Sequence, residues 1–437
     1  MKGGMTADAE VVRLCRDLIR IDTTNTGDPA TAAGERAAAE YVAAQLDEVG
    51  IAATVLESAP RRASVVARIP GADPARGALL VHGHLDVVPA DATEWSVHPF
   101  GGEIRDGYLW GRGAVDMKDF DAMVLAVVRD WARAGVVPPR DIVLAFTADE
   151  EAGSDYGARF LAERHPQLFE GCTEAIGEVG GYSYQVSDDL RLYLVQTAEK
   201  GIDWLRLHAT GRPGHGSMIH DDNAVTALCE AVARLGRHRF PVVVTPTVRA
   251  FLAELSEVLG VELDPDDPEA VIGKLGPLAR LIGATIRNTA NPTRLAAGYK
   301  ENVIPGRASA TIDCRTLPGQ ANEFLAQLRE VIGPELDVEY VQRQPALETT
   351  FDGALVDAMA AALRAEDPGA RAVPYMLSGG TDAKAFATLG IRCFGFAPLR
   401  LPPDLDFAAL FHGIDERVPL EGLEFGVRVL DRFLRSC

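Results

Sequence analysis

Nine histidines in 437 residues are few enough to take one by one. His84 closes the apolar run LLVHGHLDVVP, with Asp86 two positions on. Side chains two apart leave an extended backbone on the same side. The pair suits an imidazole that binds a metal through one nitrogen while a carboxylate holds the other. An ordinary buried histidine fits HxD equally well, and His82, deeper in the run, reads as a core histidine. Asp116 in LWGRGAVDMKD follows two glycines and precedes a helical pattern. It is either an acid at a helix N-terminus or a carboxylate placed to bridge two cations at the carboxyl end of a sheet. Glu150 and Glu151 in FTADEEAGS come directly after an apolar run, beside Asp149. A solvated acidic turn accounts for them. Adjacent side chains also point apart, so one carboxylate could bind metal while its neighbour faces a substrate as base. Glu178 in AIGEVGG and His412 in LFHGIDERVP complete the set. Glu416 in the last motif reads as a surface acid or one standing behind a ligand. Together these side chains fit a zinc pair with mixed nitrogen and oxygen ligands and one shared carboxylate.

The elements that must position them alternate over the first 200 residues. The patterns predict helices over 34–49 and 118–134, and buried strands over 63–69, 78–82 and 141–147. Continuous apolar strands with helices between them imply an α/β domain built on a largely parallel sheet, with helices on both faces. Near residue 200 the texture changes. WLRLHATG and ASATIDCRTL alternate with period two, as a half-exposed antiparallel sheet does. Helical patterns at 222–235, 249–259 and 321–333 surround an acidic, proline-rich ELDPDDPEA. The α/β texture returns with ALVDAMAAALRAE and IRCFGFAP. The expected plan is a catalytic domain in two parts, 1–199 and 341–437, interrupted by an inserted α+β domain over 200–340.

Composition narrows the function. The net charge of −20 repels nucleic-acid phosphates and anionic lipid. Six scattered cysteines show no CxxC spacing, which argues against a disulfide framework or thiolate zinc site and for a reducing compartment. No apolar run is long enough to span a membrane. The expectation is a cytoplasmic enzyme without nucleic-acid or membrane partners.

In order, HGHLDVVP, GRGAVDMKD, TADEEAGS, GEVGG, GRPGHGS, ENVIPG, DCRTLPG, SGGTDAKAF and FHGIDERVP closely resemble the dinuclear zinc aminoacylase/carboxypeptidase family. The stretch from EWSVHPFGG to AEKG looks most like its carboxypeptidase S branch. The resemblance implies a zinc-exopeptidase-like fold whose inserted domain serves as lid and dimerisation module. It implies two zinc ions, replaceable by cobalt or manganese. His84 and Glu178 would hold one, Glu151 and His412 the other, and Asp116 would bridge them. Asp86 would orient His84, and Glu150 would be the general base. His215 would stabilise an oxyanion. Asn302 and Arg315 would grip a substrate carboxylate, with Gly379, Gly380 and Thr381 completing that pocket. A cis peptide after Asp116 is also implied. Two positions carry competing readings: Arg315 shares parity with Asp313 and could simply pair with it, and His215 could be an exposed loop histidine.

The resemblance makes the expected activity hydrolysis of an amide bond beside a free carboxylate, in small peptides or N-acyl amino acids. A diamino-acid deacetylase or desuccinylase is the alternative within the family. A non-catalytic metal scaffold is the alternative outside it, and an intact Glu150 argues against that. A two-metal phosphoesterase lacks a glycine-rich phosphate cradle. Met218-Ile219 stand where many relatives carry a proline. The 87 residues from His215 to Asn302, with excess helical matter around 238–298, leave open whether a homodimer forms through the inserted domain.

Overall fold

The two most apolar runs fold as neighbouring parallel strands, Ala78–His84 and Ile142–Thr147, buried at every residue. Cys172–Gly177 adds to the other side of Ala78–His84, and Arg392–Gly395 adds beyond it, both in parallel. Arg62–Ile69 and Ala53–Ala59 extend the sheet antiparallel at one edge, and Leu190–Glu199 pairs antiparallel at the other. The sheet is thus parallel at its centre, where both faces are covered. Alternation along Ala78–His84 sends Leu79 and Val81 into one core and Leu80 into another. The first core is closed by helices Ala7–Arg20, Lys118–Ala134, Ala354–Glu366 and Leu420–Ser436, the second by the short helices Ala158–Arg164 and Ala383–Ala387. Side chains such as Leu14 and Leu18, fully buried there, each contribute about 1.5–3 kcal/mol.

The computed structural model describes residues 6–264, 266–267, 271 and 282–437. These elements make one of two compact units, formed from residues up to Gln196 with Thr349–Val373 and Thr381–Cys437. Helix Lys118–Ala134 begins two residues after Asp116 and ends on Gly135, whose φ of 69° supplies the left-handed cap. Its first residue anchors it. The buried Lys118 Nζ donates to the carbonyls of Leu18 (3.0 Å) and Ile21 (2.9 Å) at the end of the first helix. The turn that presents Asp116 is therefore fixed on both sides.

The second unit comprises Thr197–Glu348 and Pro374–Gly380. Its four-stranded antiparallel sheet runs Thr289–Ala297, Arg307–Thr316, Gly201–Thr210, Asp337–Gln344. Period-two burial along Gly201–Thr210 and Arg307–Thr316 points Leu205, Leu207, Ile312 and Cys314 at helices Ala224–Arg237 and Ala321–Ile332. Asn223 caps the first of these by accepting from Val225 N at 2.9 Å. A further helix, Pro246–Leu259, answers the pattern read at 249–259. Much of the proline-rich stretch after it, and the rest of the excess helical matter up to residue 281, lies outside the described residues.

Lys200 is buried at the head of this sheet, with Nζ donating to the carbonyls of Ala284 (3.0 Å) and Arg287 (2.7 Å). Burial, reinforced by the nearby Arg315 charge, lowers its pKa to about 7. The unfolded chain then carries one more proton than the folded one between pH 7 and the ordinary lysine value. Stability contributed by this residue rises with pH across that window and is flat below it. Replacing Lys200 by Met should flatten the difference in unfolding free energy between pH 7 and 10, by a few kcal/mol at most. Urea titrations of both proteins at the two pH values measure it; equal slopes would contradict the assignment.

Candidate metal centre and active site

Three neighbouring parallel strands end in acid or imidazole at the same edge of the sheet. His84 is the last residue of Ala78–His84, Glu178 follows Cys172–Gly177 directly, and Glu150-Glu151 form a short turn just past Ile142–Thr147. Asp116 comes from the turn before helix Lys118–Ala134, and the peptide joining it to Met117 is cis. His412 comes from the loop preceding the small strand Arg417–Pro419, with a φ of 58°.

Asp116 stands between the two imidazoles. One oxygen, Oδ1, lies 3.1 Å from His84 Nε2, and the other, Oδ2, lies 3.2 Å from His412 Nε2. Glu178 Oε2 is 3.5 Å from the same nitrogen of His84, and Glu151 Oε2 is 3.1 Å from that of His412. Two triads result, His84–Asp116–Glu178 and Asp116–Glu151–His412, with ligand atoms in each within 4.8 Å of one another. Nδ1 of His84 is 3.0 Å from the carbonyl oxygen of Asp86. A carbonyl only accepts, so Nδ1 donates and Nε2 is the nitrogen left for a cation.

The charges test whether cations fit. Burial raises Asp116, but hydrogen bonds from His412 and His84 outweigh it and hold the carboxyl below its ordinary range. Hydrogen bonds to Asp116 and Glu151 raise His412 to about 10. Burial raises Glu178 to about 8 against the pull of His84. Burial and the Glu178 charge push Glu150 well above the carboxylate range. Three ligand carboxylates and a fourth acid beside them thus share one edge, with protonated imidazoles as counter-charge. Glu151 Oε1 is buried without a hydrogen-bond partner. Hard oxygen donors, two imidazoles and an orphaned carboxylate oxygen suit a pair of divalent cations.

Asp86 organises the turn opposite. Its Oδ1 accepts from Glu150 N and its Oδ2 from Glu151 N, each at 3.1 Å. Glu416 is not a surface acid. It is fully buried, accepting from Arg112 Nη1 (2.7 Å), Gly113 N (3.1 Å) and Val115 N (2.8 Å). It therefore splints the turn that carries Asp116. His82 is a core histidine, tilted on Phe386 at 5.1 Å, its pKa lowered to about 3 by burial and by His84. Sequence reasoning did not single out Asn25 and Arg62, which lie buried behind the Glu150-Glu151 turn. Asn25 sits in a polar run, TTNTG, that reads as any loop, and nothing local marks its partners.

The remaining expected residues lie in the second unit, except Thr381. Strand Gly214–His215 pairs with Val303–Ile304, and Gly216 N donates to Asn302 O at 2.9 Å, so His215 and Asn302 are neighbours. This hairpin leaves the sheet at its Thr210–Arg307 end. Arg315 is opposite Ile202 at the other end, about 27 Å away along the strand. Lys200 N, at that same end, donates to Leu377 O, two residues before Gly379 and Gly380. Arg315 does pair with Asp313, through Nε at 2.7 Å and Nη2 at 3.1 Å. Asn302 and Arg315, expected to share one carboxylate, are thus set at opposite ends of one sheet. Thr381 Oγ1, in the first unit, accepts from Ala383 N at 3.2 Å.

A parallel-centred sheet with two imidazole–carboxylate triads at its carboxyl edge defines a metallohydrolase. Residues 80–436 match the model of peptidase family M20/M25/M40, and the chain belongs to that family. It is 27% identical over 416 residues to mouse N-fatty-acyl-amino acid synthase/hydrolase PM20D1, covering 88% of this chain and 80% of that one. It is 27% identical over 431 residues to pig aminoacylase-1, covering 95% and 92%. The fold matches an M20 family metallo-carboxypeptidase from Sulfolobus solfataricus with a TM-score of 0.72 at 18% identity, covering 98% and 99%. The protein is accordingly a metal-dependent hydrolase of amide bonds. Among the described residues no helix is long and apolar enough to cross a membrane.

Asp116 is the one side chain common to both triads. Asp116→Ala should therefore lower bound metal from two ions per chain to one or none, where loss of a single-site ligand would leave one. Elemental analysis of protein dialysed against zinc checks this; two tightly held ions in the variant would contradict it.

Proposed function

We propose that the chain hydrolyses an amide bond beside a free carboxylate, in N-acyl amino acids and small peptides, with two zinc ions and Glu150 as general base. The observation that carries this is Asp116, which presents one oxygen to each of two imidazoles beside Glu150. His84, Glu178 and Asp116 would hold one ion; Asp116, Glu151 and His412 the other. Bound there, the ions would polarise the scissile carbonyl and make water acidic enough to attack near neutral pH.

The remaining work falls to this chain's own groups. Glu150 takes the proton from the attacking water and delivers it to the leaving nitrogen as the C–N bond breaks, giving a carboxylic acid and an amine. His215 donates to the oxygen that becomes negative as the carbonyl turns tetrahedral. Arg315 binds the substrate carboxylate through its planar fork, exchanging part of its pairing with Asp313. Gly379, Gly380 and Thr381 line that pocket. Apolar acyl or residue groups are the accepted side chains. Six cysteines scattered without CxxC spacing favour the reducing cytoplasm as its location.

The test is hydrolysis of N-acyl amino acids and dipeptides, each with free and amidated carboxylate, by zinc-, cobalt- and manganese-loaded protein. Activity on the free acids is expected, with Glu150→Gln keeping both ions while losing turnover by about 10²–10⁴-fold. Equal rates on amidated substrates, or metal loss in Glu150→Gln, would refute the roles given.

A substrate whose carboxylate lies next to its scissile bond cannot span about 27 Å of strand. His215, with Asn302, and Arg315 therefore act on one substrate only if they come from different copies of the chain. Mixing His215→Ala chains with Glu150→Gln chains should restore activity that neither has alone. Failure of mixed chains to recover, under conditions that exchange subunits, would count against the two-copy site.

A further inference from the structure

We propose that Asn25 is a positioning residue that sets Glu150 and Glu151 against His84, a role that rests on the hydrolytic reading above. Asn25 is buried just after the first helix, with its backbone N–H donating to Val87 O at 2.8 Å. Its side-chain amide fills every hydrogen-bonding position it has. Nδ2 donates to Asp86 Oδ2 at 2.8 Å and to Asp149 Oδ1 at 3.0 Å. Oδ1 accepts from Arg62 Nη2 at 2.8 Å and from Gly27 N at 3.0 Å. Two carboxylates on one side and two obligate donors on the other allow only one orientation of the amide.

The two carboxylates belong to different turns. Asp86 lies past the end of Ala78–His84, and Asp149 past the end of Ile142–Thr147. One primary amide therefore ties the turn behind His84 to the turn that begins the Glu150-Glu151 pair. Both turns are committed on their far sides. Asp86 receives the backbone N–H groups of Glu150 and Glu151. Asp149 is held at a φ of 65°, with Oδ2 accepting from Tyr156 N at 3.0 Å. Arg62, itself paired with the buried Glu35, reaches Asp149 Oδ1 at 3.2 Å and supplies the counter-charge. Without the amide, Asp86 and Asp149 would lose the one donor they share, leaving only Arg62 on Asp149 to offset their repulsion, and would separate, turning the base and the Glu151 carboxylate away from His84.

The experiment compares Asn25→Leu, similar in shape but without hydrogen bonds, with Leu46→Ala, a fully buried core position in helix Arg36–Asp47. Both should lower the melting temperature. Asn25→Leu alone should lower kcat by about 100-fold with KM nearly unchanged, the scale expected for a displacement of about 1 Å at a reacting group. The cobalt-loaded variant should bind two ions with an altered visible spectrum, since Glu151 and His84 have shifted. Leu46→Ala should keep the wild-type kcat and spectrum. Asn25→Ser, whose hydroxyl can serve only one of the two carboxylates, should fall between Asn25→Leu and wild type, and it decides the matter if Asn25→Leu does not fold. Wild-type kcat and spectrum in a folded Asn25 variant overturn the proposal, as does an equal loss of kcat in Leu46→Ala. A wild-type protein inactive on every substrate would sink the hydrolytic reading instead, and the cobalt spectra would still decide this one.

Discussion

Everything at the sheet edge depends on carboxylates held closer together than their charges allow unaided. Asp116, Glu151 and Glu178 meet around two imidazoles, with Glu150 beside them, in surroundings dry enough to raise three of the four acids. Such a cluster persists only where positive charge is supplied to it. The fold contributes rigid strand ends that cannot relax outward, and a network of donors that absorbs the charge behind them. The site is a consequence of that enforced proximity.

Rigidity comes from pairs of buried polar groups that splint one turn each. Glu416 with Arg112 braces the turn before Asp116. Lys118 fastens the following helix to the end of the first one. Asp86 holds the acid pair by its backbone. Each joins segments far apart in sequence through at least two hydrogen bonds, so a buried polar group here specifies geometry rather than merely being tolerated.

Much of the fold and the metal set was legible in the sequence. Ala78–His84, Ile142–Thr147 and helix Lys118–Ala134 announce themselves because burial on both faces demands unbroken apolar runs, and a buried helix face demands a recurring one. The spacing brings Asp86 to His84, although Nδ1 meets the Asp86 backbone carbonyl at 3.0 Å and the carboxylate only at 3.5 Å. The edge strands Ala53–Ala59 and Leu190–Glu199, and the closing helix Leu420–Ser436, were not read. The two strands carry no clean alternation, whereas the helix does show an apolar face, with Leu423, Val427, Leu430 and Leu434 buried. Of the two readings of Glu416, the acid standing behind a ligand agrees with its burial against the Asp116 turn, and its partner Arg112, 304 residues away, could not be named from local pattern. Asn25 and Arg62 were invisible for the same reason, since their partners are fixed by tertiary contact alone. Arg315 does pair with Asp313, as their shared parity allows, but its distance from Asn302 follows from strand register, which no local pattern encodes.

The two histidines differ in one respect that outlasts the symmetry of their ligand sets. The His84 side chain is 1% exposed, whereas that of His412 is 57% exposed. Dissolved ions screen charges that face water and barely reach those that do not. In the outer triad His412 alone thus meets the ionic strength of the surrounding medium, while Asp116, Glu151 and the whole inner triad are shielded from it.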